Sequence, residues 1–309
     1  MHRTAFAGAL LVAGFAVASC GGDGNKDEAN GKVTVVYQDN AIKPKDRQAA
    51  EVIRKSRVLE QVADWVNKSL ALPHDLVVKV TDKVPPGVTD AVTQPDGRTI
   101  FVPPSFLTQI EGVLSNVVKT VKRPALFPKA RFNADDLTAL STQFILGHEM
   151  GHALQRQLLL ANLGLEEDAA DGFASFYTVN EVGPDPSLAA AILFDEIARE
   201  QGKLTLEGLS SDHPVTQQRV FNILCYLEGS DPKRFRGPLV GAGYLPKTRA
   251  PLCPQAWAML DFGWWTQLKP HFSGAFKDQG DKAQKNARDQ LIAETKAFEK
   301  KLDELRSGQ

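Results

Sequence analysis

The chain has 309 residues, 43% apolar and 24% charged, which excludes a disordered or fibrous protein. It carries 36 basic residues against 37 acidic ones, so it offers no electrostatic footprint for nucleic acid. Three cysteines are too few for a disulfide-dense scaffold or a cysteine-rich zinc module.

Arg3 precedes an uncharged, mostly apolar run over residues 5–18. The run falls short of the roughly 20 apolar residues a bilayer span needs, but it suits the hydrophobic part of an export signal. Val17-Ala18-Ser19-Cys20 closes it and resembles a bacterial lipobox, in which Cys20 is lipidated and becomes the mature N-terminus. An ordinary export signal with a nearby cleavage site is the rival reading. Residues 1–19 are then a lipoprotein signal peptide and 20–31 a flexible polar tether. The body is expected in the bacterial cell envelope, held to a membrane by lipid and facing the periplasm or exterior. Disulfides persist there. With Cys20 lipidated, Cys225 and Cys253 form an even pair, either bridged or two separate buried thiols.

A β-branched run predicts a strand over 33–37. Helical periodicity follows over 45–70, ended by Pro73. Strands are expected at 76–80, 88–93 and 98–102, the last two forming a hairpin about Gln94-Pro95-Asp96-Gly97. A helix over 105–121 has Ser105 as its expected cap. Asn133 can cap another that runs to about residue 160, with Asp135 and Asp136 favourable to its dipole. Further helices are predicted at 166–179, 187–201, 214–229, 255–268 and 281–305, with Asp212 capping the third and a Pro/Gly-rich stretch over 237–254. The fold class is α+β and mostly helical, a small sheet and hairpin preceding an active-site helix and a helical C-terminal half. Residues 32–309 read as one domain.

His148-Glu149-Met150-Gly151-His152 is HExxH on the helix that Asn133 opens. Four residues turn a helix by about 400°, so the imidazoles lie about 40° apart and about 6 Å apart along the axis. That lets both bind one Zn²⁺, with Glu149 beside the ion to take a proton from water. A hydrolytic zinc site wants a third protein ligand and one open position. Glu166, Glu167, Asp168 and Asp171 supply carboxylates on the next helix, although an acidic first turn also complements a helix dipole.

HExxH followed by a helix bearing Glu-x-x-x-Asp resembles the gluzincin pattern of thermolysin and of the CAAX-prenyl and heat-shock membrane peptidases. The resemblance makes Glu167 the third ligand and Asp171 the partner of the first histidine, with Glu166 the rival for the ligand role. A closer resemblance is to an uncharacterised bacterial family of predicted metallopeptidases with a zincin-like fold. It rests on His148–Ala153, Glu166–Asp171, Asp212-His213 with the segment from Gln218 to Cys225, Gly229–Pro232, Leu245-Pro246, Arg249 and Cys253-Pro254. Asp212-His213-Pro214 with Arg219 also resembles the His-Pro…Arg segment of the heat-shock peptidases. His213 or Arg219 is then a candidate for oxyanion stabilisation, against a cap and a solvated loop histidine. Tyr177 and Tyr244 are weaker candidates, and His74 and His271 read as structural.

The expected function is zinc-dependent hydrolysis of a peptide or protein substrate that lies extended beside the 98–102 strand. The competing class is a non-catalytic zinc-binding envelope lipoprotein with a structural or assembly role. A latent peptidase covered by the 281–305 helix is a third. Oligomeric state is not encoded in any pattern found.

Overall fold

The computed structural model describes residues 31–162, 164–202 and 215–307. The expected export signal, Cys20 and the expected tether up to residue 30, together with Asp212, His213 and Pro214, lie outside the described residues.

Four strands form one sheet in the order β1-β2-β4-β3. Strands β1 (Val33–Tyr37), β2 (Leu76–Val80) and β4 (Thr99–Val102) run parallel, while β3 (Val92–Thr93) pairs antiparallel with β4. Alternation sets the faces: Leu76, Val78 and Val80 are buried, and the residues between them are half-buried. The hairpin turn falls where the sequence placed it. Gly97 has φ +68° and its N–H donates to the Gln94 carbonyl at 2.9 Å. The first hairpin strand is shorter than expected, two residues in place of six.

Helices α1 (Arg47–Ser56) and α2 (Val58–Ser69) replace the single helix expected over 45–70. Arg57 breaks it in the left-handed region at φ 57°. The break lets α1 pack on α3 (Pro104–Thr120) while α2 packs on β1. Pro103, not Ser105, is the N-cap of α3, and Pro104 takes its first turn, where a missing N–H costs nothing. The long helix α4 (Ala134–Gln157) starts as expected, with Asn133 Oδ1 accepting the Asp136 N–H at 2.9 Å.

Helices α5 (Glu166–Tyr177), α6 (Asp185–Gln201), α7 (Thr216–Ser230), α8 (Pro232–Gly241), α9 (Cys253–Leu268) and α10 (Lys277–Ser307) complete the described fold. Helix α8 overlaps the stretch expected to be irregular. Asp231 caps it at the Arg234 N–H, Pro232 sits in its first turn, and Pro238 is tolerated inside a short, largely exposed helix. No helix among the described residues is long and apolar enough to cross a membrane.

Helix α4 stands between two groups of buried side chains. Its Leu137, Leu140 and Phe144 join α3, α6 and α7. Its Leu146, Met150, Ala153 and Leu154 join the sheet, α2 and the aromatic residues Trp65, Phe173, Phe176, Trp264 and Trp265. Each of the leucine, methionine and phenylalanine side chains contributes about 1.5–3 kcal/mol on burial, so α4 is held from both sides and gives the site a rigid base.

Cys225 on α7 and Cys253 at the start of α9 are disulfide-bonded, with Cα atoms 5.0 Å apart. A Cβ on Gly229 would lie 2.1 Å from the Cys253 carbonyl oxygen, so glycine is required where the two helices meet. The bridge closes a 28-residue separation, which loop entropy values at about 3–4 kcal/mol. Replacing both cysteines by serine is expected to lower the thermal midpoint by roughly 5–10 °C. A calorimetric shift under 2 °C, on the order of the measurement's resolution, would remove the bridge from the stability account.

Candidate metal centre

The site is assembled by the packing of α5 on α4. Gly147 and Gly151 make that approach possible: a Cβ on Gly151 would lie 3.1 Å from both Ala170 Cα and Phe173 Cβ, and one on Gly147 would lie 3.3 Å from Ala174. The cost of glycine in a helix interior, about 1 kcal/mol each, is offset by that contact. The first turn of α5 then faces the two histidines of α4.

His148 and His152 are one turn apart and buried, and their Nε2 atoms approach to 3.1 Å. Glu167 reaches His148 Nε2 at 3.1 Å and His152 Nε2 at 3.4 Å. One ligand atom from each of the three residues lies within 4.8 Å of the others, so the group could hold a metal ion. The remaining ring nitrogens face carboxylates. His148 Nδ1 is 2.8 Å from Asp171 Oδ1, and His152 Nδ1 is 2.7 Å from Glu166 Oε1. An ionised carboxylate only accepts, so each Nδ1–H donates, and each Nε2 offers a lone pair when its imidazole is neutral.

Those lone pairs point at each other and at a third acceptor, the Glu167 carboxylate. Such a set is held together only by positive charge, whether a proton on an imidazole or a bound metal ion, so its donor chemistry fits a cation. The spacing fits as well. Two nitrogens at about 2.0–2.1 Å from a tetrahedral ion stand about 3.3 Å apart.

The electrostatics follow the same pattern. Burial alone would lower the His148 pKa, but the Asp171 and Glu167 carboxylates outweigh it and raise it to about 9. Burial would raise Glu167, but His148 and His152 hold its carboxyl well below the usual range. Burial would likewise raise Asp171, but Arg219 and His148 bring it down to about 2. Arg219, from α7, donates to Asp171 twice, Nε to Oδ2 and Nη2 to Oδ1, each at 2.7 Å. Its guanidinium also stacks 4.3 Å over the Phe194 ring.

Glu149 is buried beside this group. Thr93 Oγ1 lies 2.8 Å from Glu149 Oε2 and 2.8 Å from the Glu149 main-chain oxygen. The general-base candidate is therefore gripped from the sheet, not from its own helix.

Several expectations change. Glu166 is not in the donor set but holds the outer nitrogen of His152. Arg219 gives its Nε and Nη2 donors to Asp171, which places it behind the His148 ring. Tyr177 lies in the core against Trp65, and Tyr244 lines a cavity of about 440 Å³ between α3, α6, α7 and α8. The 98–102 strand cannot receive a substrate strand, because β4 already pairs with β2 on one side and β3 on the other. The terminal strands of the sheet are β1 and β3, and β3 is the one beside the centre. Thr93 and Arg156 are the residues that sequence reasoning missed; only Arg156, one turn after His152, was legible as a neighbour.

These observations define a mostly helical α+β protein with an HExxH helix and a His-His-Glu donor set. A family model described as "Putative metallopeptidase" (DUF4344) matches residues 37–268, well over half of the chain. The chain belongs to that family. No curated protein and no solved structure matches it.

Proposed function

We propose that the protein is a zinc-dependent peptidase, lipid-anchored through Cys20 in the bacterial cell envelope. The observation that carries the catalytic part is the placement of Glu149. A carboxylate that is no ligand stands beside three convergent donors and is oriented by a neutral hydroxyl from the sheet edge. His148, His152 and Glu167 would hold the ion, and two imidazoles with one carboxylate suit zinc. A bound divalent ion supplies Lewis-acid activation of water and polarises the scissile carbonyl.

The chain's own residues do the rest. An extended peptide lies beside β3, at the end of the sheet next to the centre. Glu149 accepts a proton from the attacking water and delivers it to the leaving nitrogen. Asp171 and Glu166 keep both imidazoles in the tautomer that presents Nε2. Envelope location rests on the 5–18 run and the Val17–Cys20 sequence.

The test uses the full chain, purified in detergent. One zinc per chain is expected, with cleavage of unfolded casein lost on chelation and restored by Zn²⁺. Zinc without cleavage would favour the binding-protein reading, and no zinc would end both. Radiolabelled palmitate should enter the wild type and not Cys20→Ser; equal labelling would remove the anchor.

A further inference from the structure

Arg156 lies outside the HExxH motif and outside the donor set, yet it touches both the sheet edge and the centre. Its Nη2 donates to Glu166 Oε1 at 2.8 Å, the same oxygen that lies 2.7 Å from His152 Nδ1. Its Nη1 donates to the Thr93 carbonyl at 3.2 Å and reaches the Gln94 carbonyl at 3.4 Å. Thr93 in turn presents its hydroxyl to Glu149. One guanidinium thus spans from the terminal strand to a candidate ligand. We propose that Arg156 is a positioning residue that couples β3 to the metal centre: it fixes the His152 ring through Glu166 and fixes Thr93 through its carbonyl.

The inference rests on the zinc reading of the site and adds two consequences. First, the Thr93 carbonyl is occupied, so strand pairing by a bound peptide stops short of it, and Arg156 marks that end of the edge. Second, the two outer partners of the histidines differ in kind. On the His148 side, Arg219 and Asp171 have side chains 14% and 5% exposed. On the His152 side, Arg156 and Glu166 are 30% and 44% exposed. Water and salt screen the second pair far more than the first. The His152 side is therefore the adjustable one, and a strand that orders β3 tightens it by linkage.

The experiment measures Zn²⁺ dissociation constants by competition with a chromophoric chelator on the full chain. Wild type, Arg156→Gln, Arg156→Lys and Glu166→Ala are compared at low and high salt. Outer-sphere changes of this kind weaken metal binding about 10-fold at the lower end of their range. That loss is expected for Arg156→Gln and Glu166→Ala at low salt, with Arg156→Lys between them and the wild type. High salt should weaken the wild type toward the Arg156→Gln value and leave that variant nearly unchanged, which a purely structural arginine would not produce. Variants that bind zinc within about twofold of the wild type, or lose it equally at both salts, overturn the proposal. A wild type that binds no zinc overturns the zinc reading itself and this inference with it. Thermal midpoints taken alongside identify a variant that has unfolded, in which case Glu166→Ala and Arg156→Lys decide.

Discussion

Replacing Glu149 by glutamine is expected to lower the kcat for peptide hydrolysis by about 10³-fold and to leave zinc content unchanged. The two effects separate because Glu149 is not among the three convergent donors. Glutamine has the same shape and can still accept the Thr93 hydroxyl, so the packing around a residue 7% exposed is kept. What it cannot do is take a proton from water. Cleavage of a quenched fluorescent peptide and metal analysis of the same samples check this. A kcat within tenfold of the wild type, small beside the usual range for a general base, would mean that another group does the proton transfer. Loss of zinc together with activity would instead make Glu149 a ligand, against the geometry.

Replacing Arg219 by methionine is expected to damage both the fold and the centre. Asp171 is nearly inaccessible, and its charge is balanced by Arg219 on one side and His148 on the other. Removing one partner of a buried pair costs about 3–5 kcal/mol, because the charge left behind stays buried. The metal-free protein should therefore lose a large part of its stability in denaturant titrations, and zinc affinity should fall about 10–100-fold as the His148 ring loses its fixed partner. The double change Arg219→Met with Asp171→Asn should recover much of the stability, since no uncompensated charge remains. If the single variant is as stable as the wild type, the Arg219–Asp171 pair is not what ties α7 to the centre.

Local rules carried part of this reading and not the rest. The Asn133 cap, the Gln94–Gly97 turn and the helical HExxH segment appear where spacing put them, because each depends on residues a few positions apart. The long helix over 45–70 failed at Arg57, an ordinary residue whose left-handed conformation is imposed by packing on both sides. Helix α8 was hidden by its own proline and glycine content. The first hairpin strand shrank because only Val92 and Thr93 find partners across from Phe101 and Ile100.

That two imidazoles share a helix face and that a carboxylate helix follows could be read from residue order, since helical geometry is fixed by residue spacing alone. Which carboxylate meets which histidine depended on how α5 rotates and how closely it approaches. Gly147 and Gly151 set that approach, and packing set the rotation: Glu167 turns to both Nε2 atoms, Glu166 to His152 and Asp171 to His148. Thr93, Arg156 and Arg219 come from other segments or reach across them. Their roles arise only when strand, turn and helices close on one another, because contacts between distant segments are decided by packing and not by order along the chain.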